Sequence, residues 1–141
     1  MYPEMLVAPM RSELTNQGFT ELKTPDDVEN QFSNKQGTTL LVFNSVCGCA
    51  AGSARPGVVK SLEHALTPDR KLTVFAGMEK DAVNKAREYT LPYPPSSPAI
   101  ALFKDGELVH FLERHQIEGR TADMISANLK MAYDTYCKQS V

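Results

Sequence analysis

The chain is short of cysteine, close to charge balance and free of long hydrophobic runs, and each shortage removes a class of protein. Three cysteines in 141 residues form a sparse, odd set, which excludes a small secreted scaffold stapled by disulfides. A net charge of −2 and a pI near 5.9 lack the basic footprint of a nucleic-acid binder. The most apolar stretches, residues 40–43 and 99–103, fall far short of the roughly 20 residues that cross a bilayer. Residues 1–11 carry Pro3, Glu4 and Pro9, with no basic run ahead of an apolar one, which points away from a signal peptide. The expectation is a cytoplasmic, reducing location with free thiols and neither nucleic acid nor membrane as partner. No Gly-rich phosphate loop and no Ser-His-Asp arrangement is legible either.

What is present is globular. Hydrophobic residues at 42% and charged residues at 23% match an ordinary folded domain, which excludes disordered and fibrous classes. With no repeat or linker, residues 1–141 read as a single domain with a real core. Met5, Leu6, Met10 and Leu14 recur at helical spacing and predict a first helix over residues 2–16, made irregular by Pro9. Gly18 closes it, and residues 19–22 read as a short strand. Thr24 as N-cap, Pro25 in the first turn and Asp26 and Asp27 facing the dipole predict a helix to about residue 35.

Residues 38–43 form a continuous β-rich apolar run, the pattern of a strand buried on both faces. A helix opened by Pro56 carries Val58, Val59, Leu62, Ala65 and Leu66 on one side and ends at residues 67–69. Residues 72–75 read as the next buried strand, and residues 81–89, with Ala82, Val83 and Ala86 on one side, as the next helix. The proline-rich residues 91–98 suit neither helix nor central strand. Residues 99–103 and 108–112 flank Lys104-Asp105-Gly106 as a hairpin. Thr121 caps a last helix to about residue 136. Helices alternating with buried strands give an α/β sandwich.

Chemistry concentrates at Cys47-Gly48-Cys49, between a buried strand and a helix. The thiolate is the attacking species in disulfide exchange, and a helix N-terminus lowers a thiol's pKa. Residues i and i+2 of an extended chain lie about 6.6–7.2 Å apart, whereas disulfides want roughly 4.4–6.8 Å between Cα atoms. The backbone must turn, and Gly48 turns most easily. A ring so small favours exchange over permanence. Two other readings of the pair stay open on residue types alone: a non-catalytic thiolate carrier of zinc or copper, and two inert buried cysteines. A closed zinc site needs about four ligands, and Cys137 or a histidine would join only by long-range folding. The redox reading therefore leads, with no metal assigned.

Around the pair, Asn44 and Ser45 are candidates to hydrogen-bond the Cys47 thiolate, and Arg55 to stabilise it by charge. Ser53 is a candidate N-cap for the following helix. Cys137 reads as a packing or surface cysteine. His64, His110 and His115 have no carboxylate or cysteine at ligand spacing and read as structural.

The string Pro98-Ala-Ile-Ala-Leu-Phe-Lys-Asp-Gly106-Glu107 resembles the thioredoxin segment in which a cis-proline precedes a hairpin strand and faces the redox cysteines. The order of elements from residue 38 onward resembles thioredoxin too, although thioredoxins carry Cys-x-x-Cys where this chain has Cys-x-Cys. The variant and its surroundings, Asn44-Ser-Val-Cys-Gly-Cys-Ala-Ala-Gly52, with Arg55-Pro56, Pro95-Ser-Ser-Pro98, Phe103-Lys-Asp-Gly106 and His115-Gln-Ile-Glu-Gly-Arg120, closely resemble the bacilliredoxin family of bacterial thioredoxin-like proteins. The resemblance spans essentially the whole chain.

It implies a thioredoxin-like sandwich, a central mixed β-sheet flanked by helices, with an extra N-terminal helix. It also implies a glutaredoxin-like thiol–disulfide oxidoreductase that removes bacillithiol, or a related low-molecular-weight thiol, from mixed disulfides on client proteins. Weak disulfide reductase or isomerase behaviour is compatible with the same pair. That thiol is the co-substrate and no other cofactor is implied. On the family's pattern Cys47 attacks, Cys49 or a second thiol resolves, and Pro98 (expected cis) and Gly48 position the substrate. Cys47, at the strand's end, is also the more accessible of the two on this placement.

Overall fold

The structure, a computed structural model, describes residues 1–137. The elements in chain order are α1 (Glu4–Thr15), β1 (Thr20–Glu21), α2 (Pro25–Ser33), β2 (Thr38–Asn44), α3 (Arg55–Ser61), β3 (Arg70–Phe75), α4 (Lys80–Arg87), β4 (Ala99–Lys104), β5 (Glu107–Leu112), α5 (Arg114–Ile117) and α6 (Ala122–Tyr136). A π-helical turn, Ala50–Ala54, leads into α3, and a 3-10 turn, Glu88–Thr90, follows α4.

The five strands form one mixed sheet in the order β1-β3-β2-β4-β5. β2 runs parallel to β3 on one side and antiparallel to β4 on the other. Every residue of β2 is buried, because its alternating side chains enter two cores. Leu40 and Val42 face a layer holding Leu14, Val58, Ile125, Leu129 and Tyr133. Leu41 and Phe43 face the opposite layer, with Val28, Phe32, Ala82, Val83 and Ala86. The sheet is thus covered by α1, α3 and α6 on one face and by α2 and α4 on the other, which is why β2 reads as an unbroken apolar run.

Local chemistry accounts for the ends. The Thr24 hydroxyl accepts a hydrogen bond from the Asp27 N–H and the Asp27 carboxylate accepts one from the Thr24 N–H, a complete capping box at α2. Thr121 caps α6 by accepting from the Met124 N–H. The β4–β5 hairpin turns through Asp105 (φ 51°) and Gly106 (φ 87°), and two successive left-handed residues make the turn that suits strand twist.

Four expectations need correction. In α1 the buried face is Val7, Arg11 and Leu14, while Met5 and Leu6 are 89% and 48% exposed. The apolar spacing misled because the helix turns an arginine inward. The Arg11 guanidinium is neutralised there by Glu4, Glu21 and Glu79, the last at 2.6 Å. The helix after the cysteines ends at Ser61, so Leu62 and Leu66 reach the core from turns. Ser53 lies inside the π-helical turn and donates to the Arg120 carbonyl, so it is not an N-cap. Residues 114–117, between the hairpin and the last helix and given no element from sequence, form α5, whose capping box pairs Glu113 with Gln116.

Candidate active site

Burial of β2 carries the chain to Asn44 at the centre of the sheet's edge, and the helix begins at once beyond it. Ser45 Oγ accepts a hydrogen bond from the Cys47 N–H at 3.0 Å. The Cys47 carbonyl accepts from the N–H groups of Ala50 and Ala51 at 3.0 and 3.2 Å. Cys47 is thus pinned on both sides of its Cα. Gly48 keeps out of the left-handed region, so the turn between the cysteines is helical. A Cβ placed on Gly48 would meet no atom within 4 Å, which leaves open space beside Cys47.

Cys47 Sγ and Cys49 Sγ lie 2.7 Å apart, and both cysteines are free. The Cys49 N–H also points at Cys47 Sγ, at 3.4 Å. Burial acts to raise the Cys47 pKa. It is outweighed by the hydrogen bond from the Cys49 thiol, by the N–H groups of Cys49 and Ala50 and by the Arg114 charge, which leave Cys47 below the ordinary thiol value. Cys49 moves the other way, raised by burial, then by its hydrogen bond to Cys47 and by that neighbour's charge. Two chemically identical side chains are therefore split into an acidic thiol and a reluctant one. The pair is thus asymmetric, with Cys47 shifted toward its thiolate and Cys49 away from it.

A cleft of about 390 Å³ opens beside Cys47, lined by Tyr2, Ser45, Gly77, Ser97 and Arg114 among others. The Ser97–Pro98 bond is cis, as the resemblance implied, and Leu91–Pro92 is cis as well. The segment before Pro98 is gripped from two sides. Arg87 donates to the Ser96 carbonyl at 3.0 Å, and Arg114 to the Ser97 carbonyl at 3.3 Å. Gly77 (φ 90°) lets Tyr2 approach, because a Cβ there would lie 2.9 Å from the tyrosine ring.

Three predicted stabilisers take other parts. Asn44 Oδ1 accepts from the Ser45 N–H at 2.8 Å and from Arg55 Nη1 at 2.9 Å, while Asn44 Nδ2 donates to the Met10 carbonyl. Arg55, 2% exposed, also donates to the Ser45 carbonyl at 2.7 Å and to Glu13 at 2.9 Å. Neither Asn44 nor Arg55 hydrogen-bonds a cysteine sulfur; both brace the backbone that presents Cys47. Ser45 binds the Cys47 N–H rather than its sulfur.

The residues missed from sequence are Arg114 and Tyr2, which lie 67 and 45 positions from Cys47 and carry no local signal. Cys137 is buried in the core among Val42, Ile100 and Tyr133, with its thiol raised by burial. His64 and His110 pair with Asp134 and Asn128 on the far helix, and His115 lies near Glu113. Among the described residues no three His, Cys, Asp or Glu side chains gather as a metal site.

A strand-to-helix junction carrying a split pair of thiols, with a cis-proline segment across the cleft, defines a thiol–disulfide oxidoreductase of thioredoxin fold. Solved structures agree on the fold. Mitochondrial thioredoxin 3 from Saccharomyces cerevisiae superimposes with a TM-score of 0.56 over 88% of this chain and 99% of its own, at 18% identity. Thioredoxin O1 from Arabidopsis thaliana gives 0.58 over 85% and 98%, at 17% identity. The sequence pattern of the family described as Disulphide isomerase matches residues 2–137. A bacilliredoxin of Cytophaga hutchinsonii is 72% identical over 95% of this chain and 98% of its own. One from Halalkalibacterium halodurans is 55% identical over 97% and 95%. The chain belongs to the bacilliredoxin family. Among the described residues no helix is long and apolar enough to cross a membrane.

Proposed function

We propose that the protein strips a low-molecular-weight thiol, bacillithiol by its relatives' name, from mixed disulfides on client proteins in the cytoplasm. The observation that carries this reading is the opposed shift of two thiols 2.7 Å apart at the mouth of a small cleft. The Cys47 thiolate attacks the small thiol's sulfur in the mixed disulfide. The bond between that sulfur and the client breaks, the client leaves as a thiolate that takes a proton, and the adduct passes to Cys47. Cys49, once deprotonated, attacks Cys47 Sγ and expels the small thiol, leaving a Cys47–Cys49 disulfide. A thiol reductant supplies the two electrons that reopen it. No cofactor beyond these thiols enters the scheme. The family description also supports disulfide isomerisation, in which Cys47 attacks a client disulfide and the client's own thiol displaces it.

Mass spectrometry tests the assignment. Incubated with a bacillithiolated client, Cys49→Ala retains the adduct on Cys47, and Cys47→Ala removes none from the client. An adduct on Cys49, or removal by Cys47→Ala, would reverse the roles.

A further inference from the structure

Among the described residues on the wall of the Cys47 cleft, Arg114 is the only one with a cationic side chain. Its guanidinium is anchored along two edges, with Nε donating to Glu118 and Nη1 to the Ser97 carbonyl, and its backbone N–H donates to Ser96 Oγ. Among the described residues Nη2 has no hydrogen-bond partner. The side chain is 45% exposed and lines the cleft beside Cys47, so an anchored cation with donors to spare stands at that cleft. A guanidinium donates through three nitrogens, so Glu118 on Nε and the Ser97 carbonyl on Nη1 leave the Nη2 donors for a ligand. The opposite wall is Tyr2, an uncharged ring. The cleft, about 390 Å³, is of the size that takes a small molecule rather than a folded client surface. An adduct seated on Cys47 must lie in it.

We propose that Arg114 is the specificity residue for the small-thiol half of the mixed disulfide, binding a carboxylate carried by that thiol. The proposal rests on the mixed-disulfide reading and deepens it. It names the residue that would favour an anionic small thiol over a neutral or cationic one. In the exchange step Arg114 forms no bond. It holds the adduct's anionic end while the client–sulfur bond breaks and the Cys47–sulfur bond forms.

One client, one cysteine and three adducts test it: mercaptosuccinate (anionic), 2-mercaptoethanol (neutral) and cysteamine (cationic). The readout is the ratio of transfer rates from anionic and neutral adducts. A change in Cys47 reactivity or folded fraction cancels in this ratio. So do intrinsic differences between adducts when Arg114→Gln is compared with the parent. Arg114→Gln should lower the anionic-to-neutral ratio about fivefold at low ionic strength, and salt should shrink the parent's preference. Arg114→Lys, which keeps the charge and loses the fork, should fall between. The anionic adduct on a client with acidic residues flanking its cysteine should show the same ratio as on one without, because the carboxylate belongs to the small thiol. A ratio unchanged by Arg114→Gln overturns the proposal, including the case where all three adducts slow equally. If the parent transfers none of the three, the mixed-disulfide reading itself fails.

Discussion

Arg55 Nη1 donates to Asn44 Oδ1 at 2.9 Å, joining the last residue of β2 to the first of α3 beneath the Cys47-Gly48-Cys49 loop. The same nitrogen reaches the Ser45 carbonyl at 2.7 Å. The two cysteines are therefore presented on a loop whose two ends are tied by one buried guanidinium.

Arg55→Leu removes that tie, takes the guanidinium's N–H from the Ser45 carbonyl and leaves Glu13 without its cation, while Asn44 Oδ1 keeps the Ser45 N–H. An unsatisfied buried acceptor and a broken buried charge contact cost about 2–3 kcal/mol together. Urea unfolding should show a loss of that size. A loss below about 1 kcal/mol would mean that the loop does not depend on the tie.

The Cys47 thiol lies below its ordinary value, so its alkylation by iodoacetamide should reach half its maximal rate at a lower pH than a free cysteine does. The hydrogen bond from Cys49 favours the thiolate, so Cys49→Ala raises the Cys47 pKa and moves the alkylation profile to higher pH. Arg114→Gln should move it in the same direction. A shift toward lower pH in either variant would contradict the assignment.

Arg11, buried under Glu4, Glu21 and Glu79, is the cation that lets three carboxylates share one place. Arg11→Met leaves them facing one another, and stability at pH 7 should fall by about 2–3 kcal/mol. Because Glu79 leads into α4 and Glu4 into α1, hydrogen exchange should rise first in those two helices. Uniform exchange changes across the sheet would argue for another cause.

Ser126 Oγ is buried without a hydrogen-bond partner among the described residues. Replacing an unpaired hydroxyl by hydrogen removes a desolvation cost, so Ser126→Ala should be neutral or more stable by up to about 1 kcal/mol. A clear loss in thermal unfolding would reveal a partner for the hydroxyl.

Gly48 faces open space, so Gly48→Ala should fold with equal or greater stability. A helical glycine costs up to about 1 kcal/mol relative to alanine. The added methyl stands beside Cys47, and exchange with a folded client should slow more than exchange with a small disulfide. Equal rates on both would show that the space is not used.

Much of this architecture is legible along the chain because it is local. A strand buried on both faces, a capping box, a left-handed turn and a proline before a hairpin each announce themselves within a few residues. The cysteine pair does too. The parts that escaped sequence reading are those set by direction and by distance. Arg55 lies six positions from Cys49, close enough to suggest a charge on the thiolate. Yet its side chain points back under the loop toward Asn44. Arg11 at an inward position defeats apolar spacing, because Glu4 of its own helix and Glu21 and Glu79 from two other segments make the burial tolerable. Arg114 and Tyr2 reach the cleft only once β5 and α1 have packed, and no spacing rule foretells that.

The π-helical turn at Ala50–Ala54 has a consequence for chain length. Such a turn is a helix carrying one residue more than its neighbours need. Gly52 lies within it, with no atom within 4 Å of its missing Cβ. A π turn advances each residue by less than the roughly 100° of an α-helix, so the extra residue is taken up as width and Arg55 still points at Asn44 and Ser45. Deleting Gly52 should tighten the turn to ordinary winding and leave the arginine's hold in place. The surplus residue is slack in the stretch from Gly48 to Arg55, and the tie between thiol loop and sheet tolerates its loss.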